Sequence, residues 1–109
     1  MDQVIEGSVR EINQALKALP AGGSGLVTDP RGRHNLAVGL DSPVRVTLDG
    51  PAGYYIGGLG KQAEITINGP VGWGVGENLM SGRVHVRGDA SQAAAASAHG
   101  GLVIVDGNA

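Results

Sequence analysis

The sequence predicts an all-β fold of stacked coils, a parallel β-helix with one coil about every 19 residues and a short N-terminal helix. Four short apolar strands each end in a glycine, and these glycines recur every 19 residues: Gly50, Gly69, Gly88 and Gly107. The residues four and two positions before each glycine are all aliphatic: Val46, Ile65, Val84 and Val103, then Leu48, Ile67, Val86 and Val105. Self-similarity at a fixed period of this length indicates structural repeats that stack on one another.

The residues between the apolar positions support the same register. Equivalent residues of neighbouring coils in a parallel β-helix lie about 4.8 Å apart. The outward column five positions before the glycine reads Arg45, Glu64, Arg83 and Leu102, and the column one before it reads Asp49, Asn68, Arg87 and Asp106. Neither column places like charges side by side. Tyr54 and Trp73 also occupy equivalent positions, which predicts an aromatic ladder.

An amphipathic helix is predicted over residues 8–19. Ser8 and Glu11 have the spacing of a capping box, and one face carries the apolar residues Val9, Ile12, Leu16 and Leu19. A helix this short needs a surface to pack on. We therefore expect it to cover the first coil, with docking of a partner as the alternative.

The chain divides into an N-terminal helix and linker, residues 1–24, and a β-helix domain, residues 25–109. Its first coil, 25–43, is degenerate, whereas 44–109 are regular. We align Gly25 with Gly82 and Gly101, which puts Val27 in an apolar column and Arg31 at the terminal glycine position.

The polar stretch 29–35 follows in that first coil. A solvated turn is the simpler interpretation. The alternative is an interface or an anion-contacting loop, because arginines can hold a carboxylate or phosphate. The candidate interface residues there are Arg31, Arg33 and His34.

The turns between strands are rich in glycine. Glycine permits positive φ angles and close approach of backbones, and both are needed if each coil turns directly above the previous one. The predicted structural turn glycines are Gly50, Gly53, Gly57, Gly69, Gly72, Gly76, Gly88 and Gly107. Four alanines at 93–96 take the equivalent turn position in a later coil, and we expect a tight corner there in preference to a short helix.

The last strand differs from the others because Leu102 and Ile104 make its outward face apolar as well. Such a solenoid end invites association. We expect either a fragment of a longer chain or a stack continued by another subunit or copy, with Leu102 and Ile104 as interface candidates.

Composition excludes several classes of function. The net charge of −2 gives no reason to expect nucleic acid, and no apolar run approaches the ~20 residues that span a bilayer. The chain has no cysteine, hence no disulfide, thiolate nucleophile or Cys-ligated metal. No signal-peptide pattern precedes the helix, so a cytoplasmic location is the expectation.

Candidate catalytic and metal sites are also unconvincing. His34, His85 and His99 lack the spacing of a metal site, and Ser91 and Ser97 form no recognisable nucleophile arrangement. We therefore predict no catalytic, cofactor-binding or metal-binding residue in this chain.

The sequence also fits neither a sugar-cleaving enzyme nor a dinucleotide-binding loop. Asp49 and Asp106 lie three coils apart in one outward column, which does not suit the clustered carboxylates of a sugar-cleaving β-helix. Residues 72–76 contain a Gly-x-Gly-x-Gly run but lack the strand–loop–helix context of a dinucleotide loop.

The spaced glycines carry a family resemblance. The pattern Gly-x-x-Gly-x-x-x-Gly on a period of about 19 residues resembles the C-terminal GXGXG domain of the glutamate synthase α subunit. The stretches 30–40, 52–82 and 90–109 look most like the small GXGXG subunit of N-methylglutamate synthase. A second similar family is the C subunit of formylmethanofuran dehydrogenase, whose members are usually longer.

The resemblance implies a right-handed, single-stranded β-helix with a non-catalytic, structural role. In such complexes a glutamine amidotransferase releases ammonia, and an FMN barrel with an iron–sulfur cluster performs the reductive chemistry. The resemblance therefore implies partner subunits that hold both cofactors, braced by this chain. A self-associating β-helix that binds a ligand through Tyr54, Tyr55 and Trp73 is the alternative from another class.

Overall fold

The chain is a parallel β-solenoid of about five turns, with coils about 19 residues apart and one short helix. The computed structural model describes residues 2–58, 60–72, 74–76, 79–89 and 100–107. Within these ranges the six strands form one sheet in the order β1-β2-β3-β4-β5-β6, and each neighbouring pair is parallel. The elements in chain order are β1 Gln3–Ile5, α1 Val9–Lys17, β2 Ser24–Val27, β3 Arg45–Leu48, β4 Glu64–Ile67, β5 Arg83–Val86 and β6 Leu102–Val105. The predicted parallel β-helix is confirmed.

The register of β3 to β6 repeats every 19 residues, as predicted. Val46 pairs with Ile65, Ile65 with Val84, and Val84 with Val103. The inward residues of β3, β4 and β5 are at most 1% exposed. Alternation along each strand therefore places the aliphatic columns inside the solenoid and the charged columns outside.

The predicted register of the first coil is wrong by two residues. Val27 pairs with Leu48 and Gly25 pairs with Val46, an offset of 21 residues instead of 19. Arg31 consequently does not take the place of a terminal glycine. A shift of two keeps every side chain on its original face of the sheet, and Val27 is still only 1% exposed. The apolar pattern alone could not distinguish the two registers for this reason.

The helix is confirmed, although it is shorter than predicted. Ser8 is its N-cap, and both hydrogen bonds of the capping box are present. Ile12 and Leu16 are fully buried. An added Cβ at Gly25 would lie 3.1 Å from Leu16 Cδ2, so the helix fills the interior space that the missing side chain leaves.

The first strand, β1, was not predicted from the sequence. It pairs with β2, and Ile5 is 3% exposed within the core. Its three residues are too few to show a period, and the helix separates it from the repeats.

Some expectations fall on residues outside the described ranges. They include the aromatic ladder partner Trp73, the alanine corner at 93–96, and Ser91, Ser97 and His99. Among the described residues, no helix has both the length and the apolar composition needed to cross a membrane.

Candidate functional site

Two columns of glycine bring the backbones of neighbouring coils into direct contact. An added Cβ would lie 2.7 Å from the carbonyl carbon of the preceding coil at Gly69 and Gly88, and 2.8 Å from it at Gly107. At Gly72 the corresponding distance to the carbonyl carbon of Gly53 is 2.9 Å. Real Cβ atoms essentially never approach so closely, so these positions require glycine for space.

Two other turn glycines are required for their conformation. Gly57 has a φ of 69° and Gly76 a φ of 68°, in the left-handed region that side chains disfavour. Their N–H groups donate to Leu36 and Ile56 in the preceding coil, at 3.0 and 2.8 Å. Hydrogen bonds between coils thus continue beyond the strands and around the turns.

The outward charges pair across coils. Arg45 Nε lies 3.4 Å and Arg83 Nη2 lies 3.5 Å from the carboxylate of Glu64, as the sequence predicted. Exposed pairs of this kind contribute about 0.2–1 kcal/mol each. Asp106, in the other outward column, lies 2.9 Å from His85 Nε2.

Residues 29–35, the polar loop, are held mainly by Arg33. Its guanidinium donates to the carbonyl oxygens of Pro30 at 3.1 Å, Asp29 at 2.9 Å, and Gly7 just before the helix. Arg33, a candidate interface residue, therefore fastens the loop to the N-terminal segment.

His34 is likewise used inside the chain. Its Nδ1 accepts the backbone N–H of Tyr54 at 2.7 Å. The two rings stack with centroids 4.5 Å apart. This contact joins the first coil to the second.

Arg31 is more exposed than Arg33. Its side chain is 72% exposed, and its Nε lies 2.6 Å from the Asp29 carboxylate. The hydrogen bond to Asp29 raises the pKa of Arg31, which stays charged. A shallow depression of ≈ 340 Å³ beside it is lined by Glu6, Gly7, Asp29, Arg31 and Arg33. Two carboxylates balance the two guanidinium groups there.

The tyrosines cover glycines of the next coil. An added Cβ at Gly72 would lie 2.6 Å from the Tyr54 ring, and one at Gly74 would lie 2.8 Å from the Tyr55 ring. Tyr54 is nevertheless 49% exposed and Tyr55 38%. Each ring packs on the solenoid while part of it stays exposed.

Asn13 was missed by sequence reasoning. Its Nδ2 donates to the carbonyl oxygen of Asn35, and its Oδ1 accepts the N–H of Ala37, both at 2.7 Å. The side-chain amide therefore makes the hydrogen bonds to the first turn that a preceding coil would otherwise make. The available signal was its position four residues after Val9, at the border of the apolar helix face.

The two remaining candidates, Leu102 and Ile104, lie on the outward face of β6. Leu102 is 52% exposed, and Ile104 is partly buried. The inward residues Val103 and Val105 are also only partly buried, unlike their equivalents in β3 to β5. This end of the sheet therefore combines two incompletely covered apolar faces.

The described part of the chain holds no group of three or more histidine, aspartate or glutamate residues able to bind a metal ion. What these sites offer chemically is packing and docking: backbone contact along the coils, the exposed Arg31 of the polar loop, and the apolar strand β6.

Comparison with known proteins gives one informative likeness. No protein-family model matches the sequence, and no solved structure matches the chain. The chain is similar to protein GlxC of Rhizobium meliloti (strain 1021), with 45% identity over 79 residues. That match covers 70% of this chain and 35% of the relative, so the chain spans about a third of the protein it matches.

Proposed function

We propose that the chain is a non-catalytic scaffold component of a glutamate synthase-like complex, of the N-methylglutamate synthase type. In this role it braces a glutamine amidotransferase against an FMN-containing synthase component. The resemblance of the glycine repeats to the GXGXG domain carries the proposal. The likeness to protein GlxC over 70% of the chain supports it.

The way the coils are joined suits a bracing role. At the glycine columns, backbone contacts backbone directly, with no side chain on the glycine itself. Hydrogen bonds run between coils in strands and turns alike. A rod built in this way holds the parts docked on it at a fixed distance.

The side chains that could serve chemistry are engaged in packing instead. Arg33 and His34 bond the polar loop to neighbouring segments, and the Tyr54 ring covers Gly72. This use of the residues favours a scaffold over a ligand-binding module.

The cofactors of the complex would reside in partner subunits. Iron–sulfur clusters are held by cysteine thiolates, and this chain has none. Its own residues therefore do not fit such a cluster. We place both the cluster and the FMN in the partners, in the cytoplasm.

Native purification from the source cells tests the proposal. An affinity-tagged copy of the chain is expected to recover an amidotransferase and a flavoprotein in stoichiometric amounts. Recovery of formylmethanofuran dehydrogenase subunits would assign the chain to that complex instead. If neither set of partners accompanies the chain, the scaffold proposal is wrong.

A charge-reversal pair locates the docking loop in the same experiment. Arg31→Glu changes the exposed candidate on the polar loop, and Arg10→Glu makes the same charge change on the exposed part of the helix. We expect Arg31→Glu to reduce partner recovery while Arg10→Glu leaves it unchanged. Equal recovery with both variants would remove the loop from the proposed interface.

A further inference from the structure

Asn68 is the asparagine of this sequence that glycine follows directly. It lies at the end of β4, where its backbone N–H continues the ladder by donating to the carbonyl oxygen of Leu48 at 2.8 Å. The residue belongs to the outward column beside the glycine column, and it is exposed. A carboxamide is therefore held at the surface, next to a residue that has no side chain.

The packing of the coils requires glycine at the next position. Gly69 lies between Gly50 and Gly88: an added Cβ at Gly69 would be 2.7 Å from the carbonyl carbon of Gly50, and one at Gly88 would be 2.7 Å from that of Gly69. Among the described residues, none accepts a hydrogen bond from the N–H of Gly69. The fold thus keeps an unhindered backbone nitrogen beside the Asn68 carboxamide.

We propose that Asn68 is a site of spontaneous deamidation in the folded chain. Solvent base takes the proton of the Gly69 nitrogen, and this nitrogen attacks Cγ of Asn68, so that an N–Cγ bond forms. The Cγ–Nδ2 bond breaks, ammonia leaves, and a cyclic succinimide results. Water then opens the ring at either carbonyl, which gives aspartate or isoaspartate at this position. Water is consumed and ammonia is released, with no oxidant, reductant or cofactor.

The two other asparagines in the described ranges lack this combination. Asn13 uses both ends of its amide in hydrogen bonds of 2.7 Å, to the carbonyl oxygen of Asn35 and from the N–H of Ala37. Asn35 is exposed, but the residue after it is the fully buried Leu36. A branched side chain on the following residue hinders attack by its nitrogen. Asn68 is therefore expected to react before both.

Both products alter the outward column. Aspartate in place of Asn68 sets a carboxylate beside Asp49 of one neighbouring coil and Arg87 of the other, because the three positions are equivalent, and like charges at neighbouring positions destabilise a sheet. In isoaspartate the main chain also runs through the side-chain Cβ, which inserts a methylene group ahead of Gly69. That glycine then loses its alignment with the glycines of the neighbouring coils, where backbone contacts backbone. The isoaspartyl product should weaken the fold more than the aspartyl product.

Timed incubation of the 109-residue chain at mildly alkaline pH tests the proposal. Circular dichroism verifies that the chain stays folded, and digestion at acidic pH with mass spectrometry locates the reaction. We expect the mass gain of carboxamide to carboxyl first in the peptide that contains Asn68, with isoaspartate identified by enzymatic methylation of its carboxylate. The same chain in guanidinium chloride gives the rate without structure. An Asn68 that stays intact in the folded chain while the unfolded chain converts, or Asn13 and Asn35 reacting as fast, overturns the proposal.

Asn68→Gln is the matched control, since it keeps an exposed amide but would have to close a larger ring that forms slowly. Its peptide should be unchanged over the same incubation, and an equal mass gain there would contradict the succinimide route. Asn68→Asp introduces the charge without altering the main chain. Its urea midpoint should lie between those of the unmodified chain and the isolated isoaspartyl product, and equal midpoints for Asn68→Asp and that product would refute the effect on coil contacts. No partner protein enters these measurements, so their failure is distinguishable from failure of the scaffold proposal.

Discussion

Replacing Asn13 with alanine tests how the first coil is closed. The variant removes two hydrogen bonds of 2.7 Å, from Asn13 to Asn35 and from Ala37 to Asn13. Ala37 is fully buried, so water cannot readily replace the lost partner. The buried N–H of Ala37, left unsatisfied, costs about 1–3 kcal/mol, whereas the carbonyl oxygen of the exposed residue Asn35 can be solvated instead. The higher helix propensity of alanine returns about 0.5 kcal/mol. We expect Asn13→Ala to lower the free energy of unfolding by about 1–2 kcal/mol.

Urea unfolding followed by circular dichroism measures this loss as a lower midpoint at constant slope. Gln14→Ala, on the exposed side of the same helix, should change stability by no more than about 0.5 kcal/mol. Asn13→Asp keeps the acceptor for Ala37 but loses the donor to Asn35, so an intermediate loss is expected. If Asn13→Ala were as stable as Gln14→Ala, the side-chain amide would not be closing the coil.

Three further predictions use the same unfolding assay. Gly53→Ala would place a Cβ 2.5 Å from the Gly32 carbonyl oxygen and should destabilise the fold by about 3 kcal/mol or more. The control Gly32→Ala, which adds its Cβ in open space at a φ of 66°, should lose only about 1 kcal/mol of stability. Equal losses in the two variants would contradict the packing explanation. Arg33→Ala removes three hydrogen bonds to carbonyl oxygens and should lose about 1–3 kcal/mol of stability. Arg31→Ala should lose under about 1 kcal/mol. The reverse order would refute the assignment of a structural role to Arg33 and of an exposed position to Arg31. The backbone hydrogen bond from the N-cap serine lowers the pKa of Glu11, so the ionised carboxylate stabilises the fold above the usual carboxyl pKa, and this stability is lost as the pH falls through the lowered pKa. Glu11→Gln should therefore be less stable than the unmodified chain at neutral pH and approach its stability in acid. A difference in stability that stays constant with pH would show that ionisation is not involved.

The regular coils could be predicted because every coil repeats the same constraint. Val46, Ile65 and Val84 each sit four residues before a glycine, so an offset of 19 residues aligns the apolar columns, the charged columns and the glycines at once. The alternating charges of Arg45, Glu64 and Arg83 agreed with that register. Sequence was sufficient here because several independent columns specify one offset.

The first coil could not be predicted in the same way because it occurs once. A shift of two residues preserves the inside–outside alternation, so the burial of Val27 fits both offsets. The choice depends on Gly25, whose space is filled by Leu16 and Ile5 from outside the repeat. Contacts of this kind are not periodic, and the same reason hid β1 and the role of Asn13.

The candidate interface was the hardest part to predict, because a polar loop residue looks the same in the sequence whether it binds a partner or its own chain. Arg33 bonds carbonyl oxygens as distant in sequence as Gly7, and His34 accepts from the next coil. Arg31, two residues away, reaches only Asp29 in the described contacts. Three-dimensional proximity, and not residue type, separates the structural arginine from the exposed one.

The first coil and the last described strand therefore differ from the coils between them in the contacts that cover them. In the coils between, the glycine columns require each coil to follow the same backbone path as its neighbour, and the outward charges are mostly paired. The first coil is covered by the helix and by the amide of Asn13, while β6 has incompletely covered apolar faces.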